Sequence, residues 1–393
     1  MTTRRSLLTA AGLGLATGLA GCRPARPVAA VGVPDVIVAE TTDGLAVLRP
    51  DGLAPVGAAV TTPDGAAIYT AGDRLTLLST AGGKVLAQDD LPAGWRPRVT
   101  SADGGLVALT APNKIMITDR TRERRSFTFA GLVEPDAFTL DGTGLFVLEW
   151  KPDGAPEFYK VRLLDLATGA LSPLLTRAKA PIPPADEEQM RGEAHRGVLA
   201  PDRKVLYTLY THQPGHQHTR DLVAGVHNPS VHAFVHTLDM EVGWAYCVDL
   251  PLPFGTADAG AYAAALSPDG SRLFVADTAA GRVAIIDTST LTVDAVASIA
   301  PLAGGAAYAL ALGSRLYVAA GTEVRILDFS GTAHGGFTAT APVRGLLAAP
   351  DGTRLYAGFP ESVAWLDPGT GAVQGTANLP RLTGLLRAVP LQH

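Results

Sequence analysis

The sequence predicts an all-β ring, in which four-stranded antiparallel sheets repeat around an axis. A unit of about 40 residues recurs along most of the chain, as a radially repeated sheet requires. Each unit holds short runs rich in Val, Ile, Leu, Phe and Tyr between turn formers, with no helical period. The two chain ends carry complementary fragments of one more unit. A lone sheet of this kind cannot bury both faces, whereas a ring of them can, so the expected architecture is a β-propeller.

The clearest unit is residues 264–299, "AALSPDGSRLFVADTAAGRVAIIDTSTLTVDAVASI". Its first strand ends in Ser-Pro-Asp-Gly, a turn signal. "RLFVADT" and "RVAIIDT" are the second and third strands, and "DTSTLTV" turns into the fourth. Second strands recur from Ala67, Leu106, Leu145, Leu206, Leu273, Leu316 and Leu355. Third strands are read at "LTLLS", "IMITD", "VRLLD", "AYCVD", "VAIID", "VRILD" and "VAWLD". Residues 36–56 supply strands two to four without a first, and residues 382–391 a first strand without a sequel. Joining them closes the ring and hides two sheet edges. Seven complete units plus this split one make eight blades in a single domain, residues 36–391. The count becomes seven if the N-terminal strands are absorbed elsewhere.

Third strands end in Asp at Asp119, Asp165, Asp287, Asp328 and Asp367, and Asp-Gly pairs recur at Asp64, Asp103, Asp141, Asp269 and Asp351. A column of acids resembles a catalytic array. The turn context assigns these carboxylates instead to accepting backbone N–H groups.

The repeat breaks twice, where second strands starting at Leu145, Leu206 and Leu273 are 61 and 67 residues apart. The excess places one insertion at residues 176–197, between the last strand of one blade and the first of the next. A second, at residues 211–243, is read as joining strands two and three of that next blade. Blade strands alternate in direction, so both loop types leave the same rim, where function concentrates on rigid scaffolds. Trp150, Phe158 and Tyr159, in a smaller extension, and His227, His232 and His236 are the candidate binding residues of these rim loops.

Seven of the nine histidines lie between His195 and His236. "HQPGHQH" sets His212, His216 and His218 around a Pro-Gly turn, and the preceding insertion adds His195, Glu188 and Glu193. These six are the candidate ligands for Zn or Cu, whose sites need such groups about 2 Å from one ion. Two other outcomes remain open: a polar loop pair bonded within itself, or a surface that titrates near neutral pH. The spacing fits no established metal motif. No Gly-x-Ser-x-Gly elbow, phosphate loop, haem-attachment motif or EF-hand pattern occurs. Cys247 reads as a small core residue, with copper ligation as its less favoured alternative.

The N-terminus, "MTTRRSLLTAAGLGLATGLAGC", has two arginines before an apolar run too short to span a bilayer comfortably. It reads as a signal peptide over residues 1–21, with residues 22–35 a tether. "LAGC" resembles a bacterial lipobox, which implies a diacylglyceryl anchor on Cys22, and "TRRSLL" resembles a twin-arginine export motif. The implied location is the outer face of the cytoplasmic membrane, with the lipid bilayer as a partner. Beyond Cys22 only Cys247 remains, so no internal disulfide can form and stability must come from the core. The formal charge of −5 argues against a nucleic-acid partner.

"LFVADTAAGRVAIIDTSTLTV" resembles the YVTN-type repeat of bacterial extracytoplasmic propellers, a relative of quinoprotein and WD40-like repeats. The resemblance implies shape rather than activity. The expected function is an envelope lipoprotein whose rim loops bind a protein, peptide or glycan, without catalysis. The alternative is a metal-dependent or redox enzyme, or a lactonase-like hydrolase, built on the histidine-rich insertion.

Overall fold

The computed structural model describes residues 32–120, 124–195, 197–228 and 230–391. The expected signal peptide, Cys22 and most of the tether lie outside these residues. Eight antiparallel sheets follow one another around the ring. Seven are four-stranded, and the fifth has its first strand split into Glu193–Ala194 and Val198–Leu199. The protein is an eight-bladed β-propeller, and the seven-blade alternative does not hold.

Blade one is the joint. Its innermost strand, Leu382–Val389, comes from the C-terminus, and Val36–Thr41, Gly44–Arg49 and Gly52–Gly57 complete it. Val36 lies opposite Val389 and Thr41 opposite Leu382. The chain joins the propeller slightly before Val36. Val33 is buried, and Asp35 accepts a hydrogen bond from the Tyr356 hydroxyl at 2.5 Å and from Arg354 at 3.3 Å.

Burial falls from the middle of each sheet to its outer edge. In blade six, Arg272–Asp277 and Arg282–Asp287 are buried along most of their length, while Thr292–Ser298 is largely exposed. The central strands are sandwiched between neighbouring blades, so their β-branched and aromatic residues pack on both faces. Phe274 and Ile285 of blade six, for example, share a cluster with Leu316 and Val318 of blade seven. Second-strand tyrosines also tie one blade to the next. Tyr69 donates to Gly104 O at 3.0 Å, and Tyr317 to Pro368 O at 2.7 Å.

The recurring aspartates are turn formers. Asp287 Oδ1 accepts from the Ser289 hydroxyl and from the backbone of Thr290 and Ser289, and Asp269 Oδ1 from the Ser267 hydroxyl and Ser271 N. These bonds hold both carboxyls at about 2, well below the usual carboxylate range.

Blade five differs from the sequence expectation. "AYCVD" is its fourth strand, Ala245–Asp249, and the third is Phe234–Asp239. The inserted segment between strands two and three therefore spans residues 212–233. It contains the one α-helix among the described residues, Thr219–Ala224. No helix among those residues is long and apolar enough to cross a membrane.

Candidate functional site

The two insertions meet on the flank of the disc, between blades four and five. After Leu171–Pro173 the first insertion leaves its own blade and pairs Leu175 with Trp244, at the base of the fourth strand of blade five. Arg177 there donates to Thr290 O at 2.9 Å, in a turn of blade six. The segment then climbs the outside and ends by pairing Met190 with Tyr159 of blade four. It is fastened midway by Glu187, which is buried and accepts from Lys160 at 3.1 Å and from Arg162 at 2.6 and 3.0 Å. A loop expected on the rim thus becomes an outer wall.

The second insertion folds down onto that wall. Pro214 and Gly215 make the reversal, with Gly215 at φ +71°. Gln213 N and Gly215 N donate to His232 O and Val231 O, which prolongs the hairpin beyond its strands. His218 then starts the short helix, its carbonyl accepting from Asp221 N and Leu222 N. Gly192 sits where the insertions touch. Its φ is +64°, and a Cβ there would lie 2.5 Å from His212 O, so a side chain would force them apart.

Glu188, His216, His218, His236 and Cys247 gather where the two insertions meet. One potential ligand atom from each of Glu188, His216 and His218 lies within 4.8 Å of the others, and the same holds for Glu188, His236 and Cys247. His218 is 1% exposed and bridges two acids: Nδ1 donates to Glu188 Oε1 at 3.1 Å and Nε2 to Asp249 Oδ1 at 2.6 Å. Asp249 also accepts from Arg220 at 2.6 Å. Glu188 further accepts from Thr219 N at 2.9 Å and from the Cys247 thiol at 3.4 Å. His216 stacks on Phe234 at 4.5 Å and meets the His218 ring at 4.8 Å. Its Nε2 is buried without a hydrogen-bond partner.

Burial and charge oppose one another in this network. Burial would raise the Glu188 pKa, yet the His218 hydrogen bond and the surrounding imidazoles hold it at about 2. Burial would lower that of His218, but its bonds to Asp249 and Glu188 raise it. Burial lowers His216 to about 4, so its ring is neutral near pH 7. Burial, reinforced by Glu188, pushes the Cys247 thiol well up. A cavity of about 190 Å³ borders the cluster, with Glu188, His218, His236, Cys247 and Tyr246 in its lining. Tyr246 lies between two guanidinium groups, Arg177 and Arg220, each 5.2 Å from the ring centroid.

The six sequence candidates for metal binding separate into two groups. Glu188, His216 and His218 converge. His195 and His212 form another pair around the Thr211 hydroxyl, each ring nitrogen 3.0 Å from it. His212 Nε2 also bonds Ala257 O at 2.8 Å, which secures its left-handed backbone at φ +58°. Glu193 lies opposite Thr211 in the first strand of blade five, next to this second pair. Of the rim candidates, Trp150 and Tyr159 are buried between blades four and five because the hairpin carries them as facing strand residues. Trp150 donates to Glu134 at 2.9 Å and Tyr159 to the Tyr210 hydroxyl at 2.7 Å. Phe158 and His232 are half-buried, and His227 is exposed on the second insertion. His236 faces Cys247 across the sheet and belongs to the cluster.

No protein-family model matches the chain, and no curated protein does. Solved structures do resemble it. The structure titled dihydro-heme d1 dehydrogenase NirN in complex with DHE is 14% identical, with a TM-score of 0.50. The match covers 91% of this chain and 66% of that one, a little under two thirds. BamB from Moraxella catarrhalis is 16% identical with a TM-score of 0.50, over 84% of this chain and 90% of that one. At these identities the likeness shows the propeller fold alone.

Proposed function

We propose that this chain is a binding platform of the bacterial cell envelope, lipid-anchored through Cys22, that presents the flank between blades four and five to a protein, peptide or glycan. One observation carries the proposal. The two large departures from the repeat converge on that flank, where they frame a recess containing Tyr246 between Arg177 and Arg220. An aromatic ring flanked by guanidinium groups suits acidic or aromatic partner groups. The polarity of the blades supports an anchored platform. Val36–Thr41 is a second strand, so residues before it approach from the rim of the strand one-to-two turns. Residues 32–35 therefore meet the propeller on the rim opposite the one from which the second insertion descends.

The test is site-specific photocrosslinking in cells, with the probe at Tyr246 or Arg177 and, as control, at Val373 on the outer strand of blade eight. A saturable adduct at the first two positions, absent at Val373, is expected, and Arg177→Glu should abolish the adduct formed from Tyr246. Equal labelling at all three would refute the platform. Membrane fractionation of Cys22→Ser tests the anchor, and retention of the variant in the membrane fraction would refute it. A second reading, a metal-dependent or redox enzyme, is favoured by the convergence of Glu188, the histidines and Cys247. Partner binding that survives Glu188→Gln but not Tyr246→Ala favours the platform, and the reverse favours catalysis.

A further inference from the structure

We infer that Glu188, His216 and His218 bind one divalent transition-metal ion of the Zn²⁺ class, with a further coordination position open to the flank cavity. The inference depends on this cluster alone and stands or falls independently of the binding-platform proposal.

Geometry supplies the first reason. The three ligand atoms already lie within 4.8 Å of one another. Around tetrahedral zinc, with bonds near 2.0–2.2 Å, ligand atoms are about 3.3–3.5 Å apart. The site needs to contract by at most about 1.5 Å, and all three ligands sit on inserted segments rather than on the rigid sheet.

The second reason is His216. Its side chain is buried at 7% exposure, and Nε2 has no hydrogen-bond partner. A buried imidazole nitrogen without a partner carries a cost that a coordinated ion would remove. The neighbouring ring, His218, is 4.8 Å away between centroids.

The third reason is the support around the ligands. His218 Nε2 is fixed on Asp249 at 2.6 Å, and Asp249 is fixed by Arg220 at 2.6 Å. This leaves Nδ1 directed at Glu188 Oε1, 3.1 Å away, where an ion would replace the shared proton. Metal-bound histidines characteristically donate their other N–H to a carboxylate, which sets the tautomer and orients the ring. Glu188 is steadied in the same way, by Thr219 N at 2.9 Å on one oxygen and the Cys247 thiol at 3.4 Å on the other. Cys247 is thus a positioning residue for the carboxylate. Two imidazoles and one carboxylate form the donor set of open zinc sites, and the cavity beside Glu188 and His218 leaves room for water or an exogenous ligand.

The experiment uses the full chain, purified without a histidine tag and freed of metal with chelator. Zn²⁺ binding is measured by calorimetry, and Co²⁺ by absorption spectroscopy. One equivalent of Zn²⁺ is expected. The Co²⁺ complex should show d–d bands of low coordination number without a thiolate-to-cobalt charge-transfer band. His216→Gln and His218→Gln should each weaken binding at least 100-fold, while His212→Gln, outside the cluster, keeps the parent affinity. Asp249→Asn, which removes no ligand, should weaken it about 10- to 100-fold. It also provides the decisive variant if either histidine replacement lacks a cooperative melt. Absence of stoichiometric binding to the parent chain would overturn the site. So would binding indifferent to His216→Gln, or to Asp249→Asn where it is the decisive variant. A thiolate charge-transfer band would overturn the ligand set by moving the ion to Cys247.

Discussion

Replacing His195 with Gln tests which histidines serve the fold. His195 sits between the two short pieces of the first strand of blade five, edge-on to Tyr262 at 5.9 Å and bonded to the Thr211 hydroxyl at 3.0 Å. Burial lowers its pKa to about 4, with the charge of Glu193 opposing and that of His212 assisting. In the unfolded chain it titrates near 6.5. Between those values the unfolded state binds a proton that the folded state refuses, so stability falls as the pH drops from 6.5 to 4. At 1.36 kcal/mol per unit, this single group removes about 3 kcal/mol over that interval. Below pH 4 both states are protonated and the loss stops. Urea unfolding of parent and His195→Gln, with chelator present, should be compared from pH 7.5 to 4. Other titrating groups contribute to both proteins and largely cancel in the difference. The stability advantage of the parent should shrink by about 3 kcal/mol on acidification. Parallel pH profiles would refute the assignment of His195 as a half-buried, neutral, structural histidine.

Three more outcomes follow from the packing. Glu187→Gln leaves Lys160 and Arg162 facing a neutral amide in a buried setting, and should cost about 3 kcal/mol because a buried pair loses one partner. Hydrogen exchange should show the loss confined to residues 176–190 and the adjoining strands, and uniform deprotection would contradict it. Phe234→Ala removes a fully buried ring that Tyr210, His216 and His218 all contact, and should cost about 3–5 kcal/mol in denaturant unfolding. A change below 1 kcal/mol would mean that the ring does not support the cluster. Truncation before Leu382 removes the innermost strand of blade one and should abolish the single cooperative unfolding transition. A cooperative, monomeric truncated chain would show that closure is dispensable.

The ring was legible in the sequence because the blades repeat the same local chemistry: apolar second and third strands and, in most blades, an Asp-led turn after the third. Even the joint could be read, since residues 36–56 lack what residues 382–391 supply. Blade five was misread because the inserted residues split a hairpin, and "AYCVD" imitates the third strands elsewhere. The corrective signal lay in "TLDMEVG". Asp239 accepts from Glu241 N and Val242 N, just as the other third-strand aspartates serve their turns. Recognising it would have placed His236 opposite Cys247. The partition of the histidines was less accessible. His216 and His218 are neighbours along the chain, but their common partner, Glu188, is brought to them only by a wall that leaves one blade to cover the next. Burial of Trp150 and Tyr159 was hidden because the hairpin that carries them runs on as paired strands and packs them against blade five.

Blade one also has a consequence in time. Val36 pairs with Val389, 353 positions later, so the earliest propeller strand to be synthesised depends on almost the last. Until residues 382–389 are available, Val36–Thr41 has an open edge and the toroid cannot lock. Blades two to eight are contiguous in sequence and can pair their strands as they emerge, whereas the first must wait for Leu382–Val389. Completion of the fold is thus coupled to the arrival of residues 382–389, and a nascent chain that lacks them presents an unpaired strand to any quality-control machinery that recognises one.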